Sequence, residues 1–117
     1  MVDMNQPIAK ILEGIARVEL EFPDTKAKFP VITITEINNK SDYEVENTEL
    51  ISDITYQVDV WDNGKNRKLC EDISTEVSKA LTKANFTRIL GRGFKDPSGL
   101  HRKMMYFKTK IINKGEI

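Results

Sequence analysis

The chain has one cysteine, one histidine, one tryptophan and four prolines in 117 residues, and it has no apolar run of membrane-spanning length. Each scarcity excludes something. A lone Cys70 cannot close an internal disulfide and fits a reducing compartment. One histidine and one cysteine cannot make a Cys/His set at zinc spacing, and no G-x-S-x-G, P-loop or G-x-G-x-x-G run occurs. "GRGF" at residues 91–94 is too short to cradle a phosphate. The N-terminus, "MVDMNQPIAK", lacks the basic start and apolar stretch of a signal peptide, which predicts a cytoplasmic origin. Without an apolar stretch of about 20 residues, no membrane crossing by helix is expected. These absences predict a protein with no catalytic, cofactor-binding or metal-ligating residues.

What the chain does have is a polar distribution of charge. Net charge is zero, yet residues 1–60 hold 5 Lys/Arg against 12 Asp/Glu, and residues 61–117 hold 13 against 6, so the halves stand at −7 and +7. Such asymmetry supports nucleic-acid binding by the basic half, or self-complementarity between the acidic surface of one subunit and the basic surface of the next. The alternative is a fold that interleaves the halves and mixes the charges. Apolar content of 39% with 31% charged residues is ordinary for one globular domain, here residues 1–117, long enough to bury a core unaided.

Hydrophobic spacing sets the expected elements. Ile8, Ile11, Leu12, Ile15 and Ala16 recur at helical spacing behind Asn5 and Pro7, predicting a helix from Asn5 to Val18, with Gly14 inside it as a point of close approach for a strand. "VITITEI", 31–37, is a strand. "NNKSDYEVENTEL", 38–50, is rich in Asn, Asp, Glu and Ser and predicts a long flexible loop. A second strand runs from Ile51 to Asp62 and ends at "DNG", where Asp62 or Asn63 is placed to cap a helix over 66–84 with Leu69, Cys70, Ile73, Val77, Ala80, Leu81 and Ala84 on its apolar stripe. Strands over 85–94 and 100–112 complete the domain as a hairpin around "KDPSG". The expected fold class is α+β: a four-stranded, mostly antiparallel sheet with two helices on one face, in the order α-β-β-α-β-β.

Within the second strand, Ile54, Tyr56, Val58 and Val60 alternate with Thr55, Gln57, Asp59 and Trp61. A tryptophan on the polar face is either laid over the sheet within the chain or covered by something outside the domain. The basic cluster Arg88, Arg92, Lys95, Arg102, Lys103, Lys108 and Lys110, interleaved with Phe94, Tyr106 and Phe107, is compatible with a stacking platform for single-stranded nucleic acid, but it lacks the RNA-recognition run and reads more simply as a solvated face. His101, beside Arg102 and Lys103, is the one residue on which a small accessory enzyme could be built, and the ordinary state of such a histidine is a solvated strand edge.

The stretches "FPVITITEI", "ITYQVDVWDNGKNRKLCEDISTEVSKAL", "NFTRI" and "GLHRKMMYFKTKI", in that order after an N-terminal helix, resemble the tail terminator (tail completion, tail-to-head joining) proteins of long-tailed phages and prophages. "YQVDVWD" followed by a helix is the most telling piece. The resemblance spans Ile8 to about Ile112. It implies a structural protein that assembles as a ring, commonly hexameric, on the head-proximal end of the tail tube, stops tube growth and offers the head a docking surface. The implied partners are further copies of itself, the tail tube protein and a head connector protein; no membrane is implied. The implied location is the host cytoplasm before assembly and the virion tail or neck afterwards. Another head-tail connector role and a nucleic-acid-binding module remain the alternatives. A ring needs two different, complementary patches on each subunit. The expected contact residues are Tyr43, Glu44, Glu46 and Glu49 in the acidic loop, Thr55, Gln57, Asp59 and Trp61 on the polar face of the second strand, and Arg88, Arg92, Lys95, Arg102 and Lys103 in the basic half.

Overall fold

A computed structural model describes residues 5–19, 28–45 and 49–114. The element order is α1 (Asn5–Glu13), β1 (Arg17–Glu19), β2 (Val31–Val45), β3 (Glu49–Asp62), α2 (Lys68–Lys83), β4 (Thr87–Lys95) and β5 (His101–Lys114). The strands form one sheet in the order β1-β2-β3-β5-β4. All pairings are antiparallel except that of β1 with β2. Among the described residues the sheet therefore has five strands, one more than expected, and the expected α+β class with two helices holds.

The extra strand comes from the end of the first helix. Instead of continuing to Val18, α1 stops at Glu13, Ile15 and Ala16 donate their N–H groups back to the Leu12 carbonyl, and Arg17–Glu19 pair in parallel with Val31–Thr33. Gly14 is a poor helix residue, and the neighbouring strand offers the next residues a hydrogen-bonding partner that a longer helix would forgo. A Cβ added at Gly14 would meet nothing within 4 Å, so this glycine does not make room for a strand.

The segment 38–50, expected as a loop, is strand wherever it is described. β2 continues to Val45 and β3 begins at Glu49, with pairing as far as Val45↔Glu49; Glu46 lies outside the described residues. Strand pairing is carried by backbone N–H and C=O groups, which are the same in Asn, Ser and Glu as in Val, so polar composition alone does not forbid a hairpin whose partner strand is already in place. Two irregularities, between Glu36 and Asn38 and between Ser41 and Tyr43, bend it.

One face of the sheet carries the core. Ile32 and Ile34 of β2, Ile54, Tyr56, Val58 and Val60 of β3, and Met105 and Phe107 of β5 pack with Ile8 and Leu12 of α1 and with Cys70, Ile73, Val77 and Leu81 of α2. Both helices thus lie on one face, as the strand alternation predicts. Leu69, placed on the apolar stripe by spacing, is instead 47% exposed, because the buried stripe runs through Cys70, Ile73, Ser74, Val77 and Leu81, one position round the helix. At the helix start, Asn66 rather than Asp62 or Asn63 serves the backbone, its Oδ1 accepting the Lys68 N–H at 2.9 Å, while Asp62 Oδ2 accepts the Gly64 N–H within the turn. At its end, Asn85 adopts φ 72°, Phe86 N–H donates to the Leu81 carbonyl and Asn85 N–H to that of Thr82, a Schellman closure that places the buried Phe86 beside Leu81.

Two predictions test this packing. Phe107→Ala should cost about 3–5 kcal/mol in urea unfolding, whereas Leu69→Ala should change stability by no more than about 0.5 kcal/mol. Burial pushes the Cys70 thiol up to about 11, so in the native protein it should react with a disulfide reagent at mildly alkaline pH about 100-fold more slowly than in denaturant.

Candidate functional site

The face of the sheet away from the helices is organised by Arg102. On β5 it stands opposite Trp61 of β3 and Phe94 of β4 in one cross-strand row. Its guanidinium lies 4.4 Å from the Trp61 ring centroid and 5.3 Å from that of Phe94. The same group reaches Asp59, with Nη2 at 2.6 Å and Nε at 3.1 Å from Oδ2, and Asp96, with Nη1 at 3.1 Å from Oδ1. Gln57 Nε2 donates to both oxygens of Asp59, and Trp61 Nε1–H donates to Thr33 Oγ1 at 2.8 Å. Trp61 is 4% exposed and Asp59 1%. The tryptophan is accordingly covered within the chain: its ring is a platform for an arginine that neutralises a buried carboxylate.

Titration of the two aspartates follows from this geometry. Burial raises the Asp59 pKa above 3.8 against the opposing hydrogen bonds from Arg102 and Gln57. At Asp96 burial pushes upward too, but the bonds from Ser98 and Arg102 outweigh it and the carboxyl titrates below 3.8. The signs are opposite. Asp59 holds its proton more firmly folded than unfolded, so its contribution to stability falls as pH rises from 3.8 through its raised value; that of Asp96 is present above 3.8 and is lost as pH falls through its lowered value.

On the helix-covered side a second group ties α2 to the β4–β5 hairpin. Arg67 donates to the carbonyls of Phe94 and Arg102, at 3.0 and 3.2 Å, and Lys103 Nζ lies 3.3 Å from Glu71 Oε1. A Cβ at Gly93 would come within 2.5 Å of Arg67 Nη2, so the second glycine of "GRGF" is there to let this guanidinium through, and no phosphate need be invoked.

The expected contact residues are therefore dispersed. Arg102 and Asp59 are joined in one ion pair, with Trp61 and Gln57 beside it. Thr55 is half-buried opposite Lys108. Neighbouring Lys103 turns to the other face toward Glu71, and Arg88 is exposed with Nη1 3.5 Å from Ser78 Oγ on α2. Arg92, exposed on the open face, lies 5.9 Å over Phe94, and Lys95 is exposed. Tyr43, Glu44 and Glu49 belong to the β2–β3 hairpin. The aromatic residues of the basic half are divided as well: Phe107 is in the core, Phe94 stacks with Arg102, and Tyr106 is half-buried, so they form no continuous stacking platform. His101 is tied by Nε2 to the Gly64 carbonyl at 3.0 Å.

Sequence reasoning missed Arg67, Thr33 and Asp96. The last had a signal, since an aspartate opening the "DPSG" turn sits across a hairpin from the residue six positions on; the other two are brought in by contacts 27 to 35 residues away, for which local pattern holds no sign. Arg102→Ala, which strands the Asp59 carboxylate, should lower stability by about 3–5 kcal/mol at neutral pH, and the deficit should shrink toward pH 4 as Asp59 takes up a proton, measured by urea unfolding at the two pH values.

The open face thus carries an interlocked ion pair, and among the described residues no group of three His, Cys, Asp or Glu stands ready to hold a metal ion. Among the described residues, likewise, no helix is long and apolar enough to cross a membrane. No curated protein matches the chain significantly. The family of the tail completion protein gp17 does match, over residues 5–110, from the first residue of α1 into β5. A match that takes in both helices and every strand of the sheet assigns the whole domain: the chain belongs to the tail completion protein gp17 family and has a structural role in phage tail morphogenesis.

Proposed function

We propose that the protein caps the head-proximal end of the tail tube, stops tube elongation and provides the surface on which the head is joined, acting as a ring of copies, a hexamer. The observation that carries this reading is the family match across the whole domain. The shape supports it. The molecule measures 55 × 25 × 24 Å. Past Ile54 and Phe107, which belong to the core, β2, β3 and β5 continue side by side to Val45, Glu49 and Lys114. A three-stranded extension of this kind is a length of paired backbone on which a neighbour can dock. The partners are further copies of the chain, the tail tube protein and a head connector protein. Before assembly the protein resides in the host bacterial cytoplasm, and afterwards in the virion tail or neck.

The contact residues on this reading are Tyr43, Glu44 and Glu49 of the β2–β3 hairpin, together with Glu46, which lies outside the described residues, and Arg88, Arg92 and Lys95 of the exposed basic strand. Thr55 and Gln57 flank them, while Asp59, Trp61, Arg102 and Lys103 act from beneath by holding the strands in place. Electron microscopy of lysates from a phage lacking this gene should show headless tails with tubes of uncontrolled length, and adding the purified protein should restore uniform tubes competent to join heads. Tubes of normal length that join heads without the protein would sink the proposal; normal tubes that fail only in joining would assign it the joining step and remove the termination step.

A further inference from the structure

Several cations around α2 are answered by a carboxylate: Arg67, Lys68, Lys79, Arg102 and Lys103 each have one within ion-pair reach. Lys83, Arg88, Arg92 and Lys95 have none among the described residues. These four stand together, on β4 and on the last turn of α2 that leads into it. β4 holds three Lys/Arg and β5 five, with no Asp or Glu on either, so the strands themselves supply no counter-charge.

β4 is also the outer strand, paired among the described residues with β5 alone. The described chain breaks at Glu19, on the opposite edge, and at Val45 and Lys114, at the far end of the sheet where β4 does not extend; α1 packs on β1, β2 and α2. In an antiparallel pair alternate residues turn their N–H and C=O toward the partner strand, so the residues between them on β4 direct theirs outward. All nine residues are exposed except Phe94, with Ile89, at the irregularity, at 53% and Leu90 at 43%. Charge and a bulge are the ordinary means of keeping an edge unpaired. Two bare aliphatic side chains work against that purpose, and cations of one sign repel a second copy of β4 while leaving an acidic strand as the favoured exception.

Beneath this edge α2 and β4 flank an open groove of about 520 Å³ lined by Ser78, Lys79, Thr82, Lys83 and Arg88. Arg88 reaches into it from β4, its Nη1 3.5 Å from Ser78 Oγ. On the other face of β4, Leu90 stands beside Tyr106 and Arg92 beside Met104. A strand added along β4 sends alternate side chains to these two faces. Carboxylates on the groove side then meet Lys83, Arg88 and the two hydroxyls, and an aliphatic residue with a carboxylate on the other side meets Leu90 and Arg92. Nucleic acid suits the edge less well. Phe94 is stacked on Arg102, Tyr106 is half-buried and Phe107 is in the core, which leaves no row of free aromatic faces for bases. A phosphodiester backbone also has no donor for the outward carbonyls of β4, whereas a peptide has.

We propose that the β4 edge, with the groove beneath it, takes an extended acidic segment of a neighbouring head or tail protein as an added strand. The proposal rests on the capping reading for the source of that segment. The probe is a dye-labelled nine-residue peptide alternating Glu with Val, matched to the length of β4 and titrated against the full chain by fluorescence anisotropy, with folding checked by circular dichroism. It should bind, weaken as salt rises, and slow amide hydrogen exchange over 87–95. Arg88→Glu with Arg92→Glu should weaken binding at least about tenfold, whereas Lys10→Glu with Lys65→Glu, the same charge change at exposed positions off the edge, should alter it by less than about twofold. N-methylation of one alternate set of peptide amides, the set turned to β4, should abolish binding, and methylation of the other set should not. No binding at any salt, equal effects of the two double variants, indifference to N-methylation, or an oligothymidylate of the same length bound as tightly as the peptide overturns the proposal. If the peptide fails while lysates lacking the gene give headless tails of uncontrolled length, the edge site falls and the capping role stands. Normal tubes joined to heads in those lysates, with the peptide bound as expected, sink the capping role and leave the strand site standing.

Discussion

Strand β3 is paired along its length with β5 on one side and with β2 on the other, and at its C-terminal end it is buried on both faces; most of the structure follows from meeting those demands at once. The face bearing Ile54, Tyr56, Val58 and Val60 excludes water by bringing α1 and α2 down onto it. The opposite face bears Asp59 and Trp61, which an apolar cover cannot satisfy. Burial there is possible because Arg102 supplies charge to one residue and a stacked plane to the other.

That arginine links parts of the chain that are distant in sequence. Asp59 lies at the end of the acidic half, Asp96 in the β4–β5 turn and Phe94 on β4, so one side chain fixes how the hairpin sits on β3. Arg67 and Lys103 do the same from the other side, tying the start of α2 to the hairpin through two carbonyls and Glu71. A basic strand pair is thereby held in a fixed position beside an acidic one, and its remaining exposed charges, Arg92 and Lys95 among them, are presented by a rigid edge and not by a loop.

Strand order also sets where the charges stand. The acidic residues of β2 and β3 lie on one side of the sheet and the basic residues of β4 and β5 on the other, while the net charge of the chain stays at zero. The proposed ring would draw on such unlike patches, because a heterologous contact needs surfaces that recognise each other and reject themselves.

Much of the fold was legible in the sequence, since period-two alternation identified β3 and β5 and helical spacing identified α2, and both signals arise from one-sided burial that each element must satisfy by itself. The order of elements also carried the family. What local pattern did not hold was anything depending on a partner strand. β1 exists because Val31–Thr33 stand beside it, and 38–45 are strand because β3 is already paired on its other side, so backbone hydrogen bonding overrode a composition typical of loops. Trp61 was visible as an anomaly, but its cover was not, because Arg102 lies 41 positions away and meets it only when β5 inserts between β3 and β4. The sequence by itself determined which residues must leave water and which charges each half carries; the tertiary structure decided which of those charges neutralise one another inside and which remain on an edge, because only strand order brings distant carboxylates and guanidinium groups within reach.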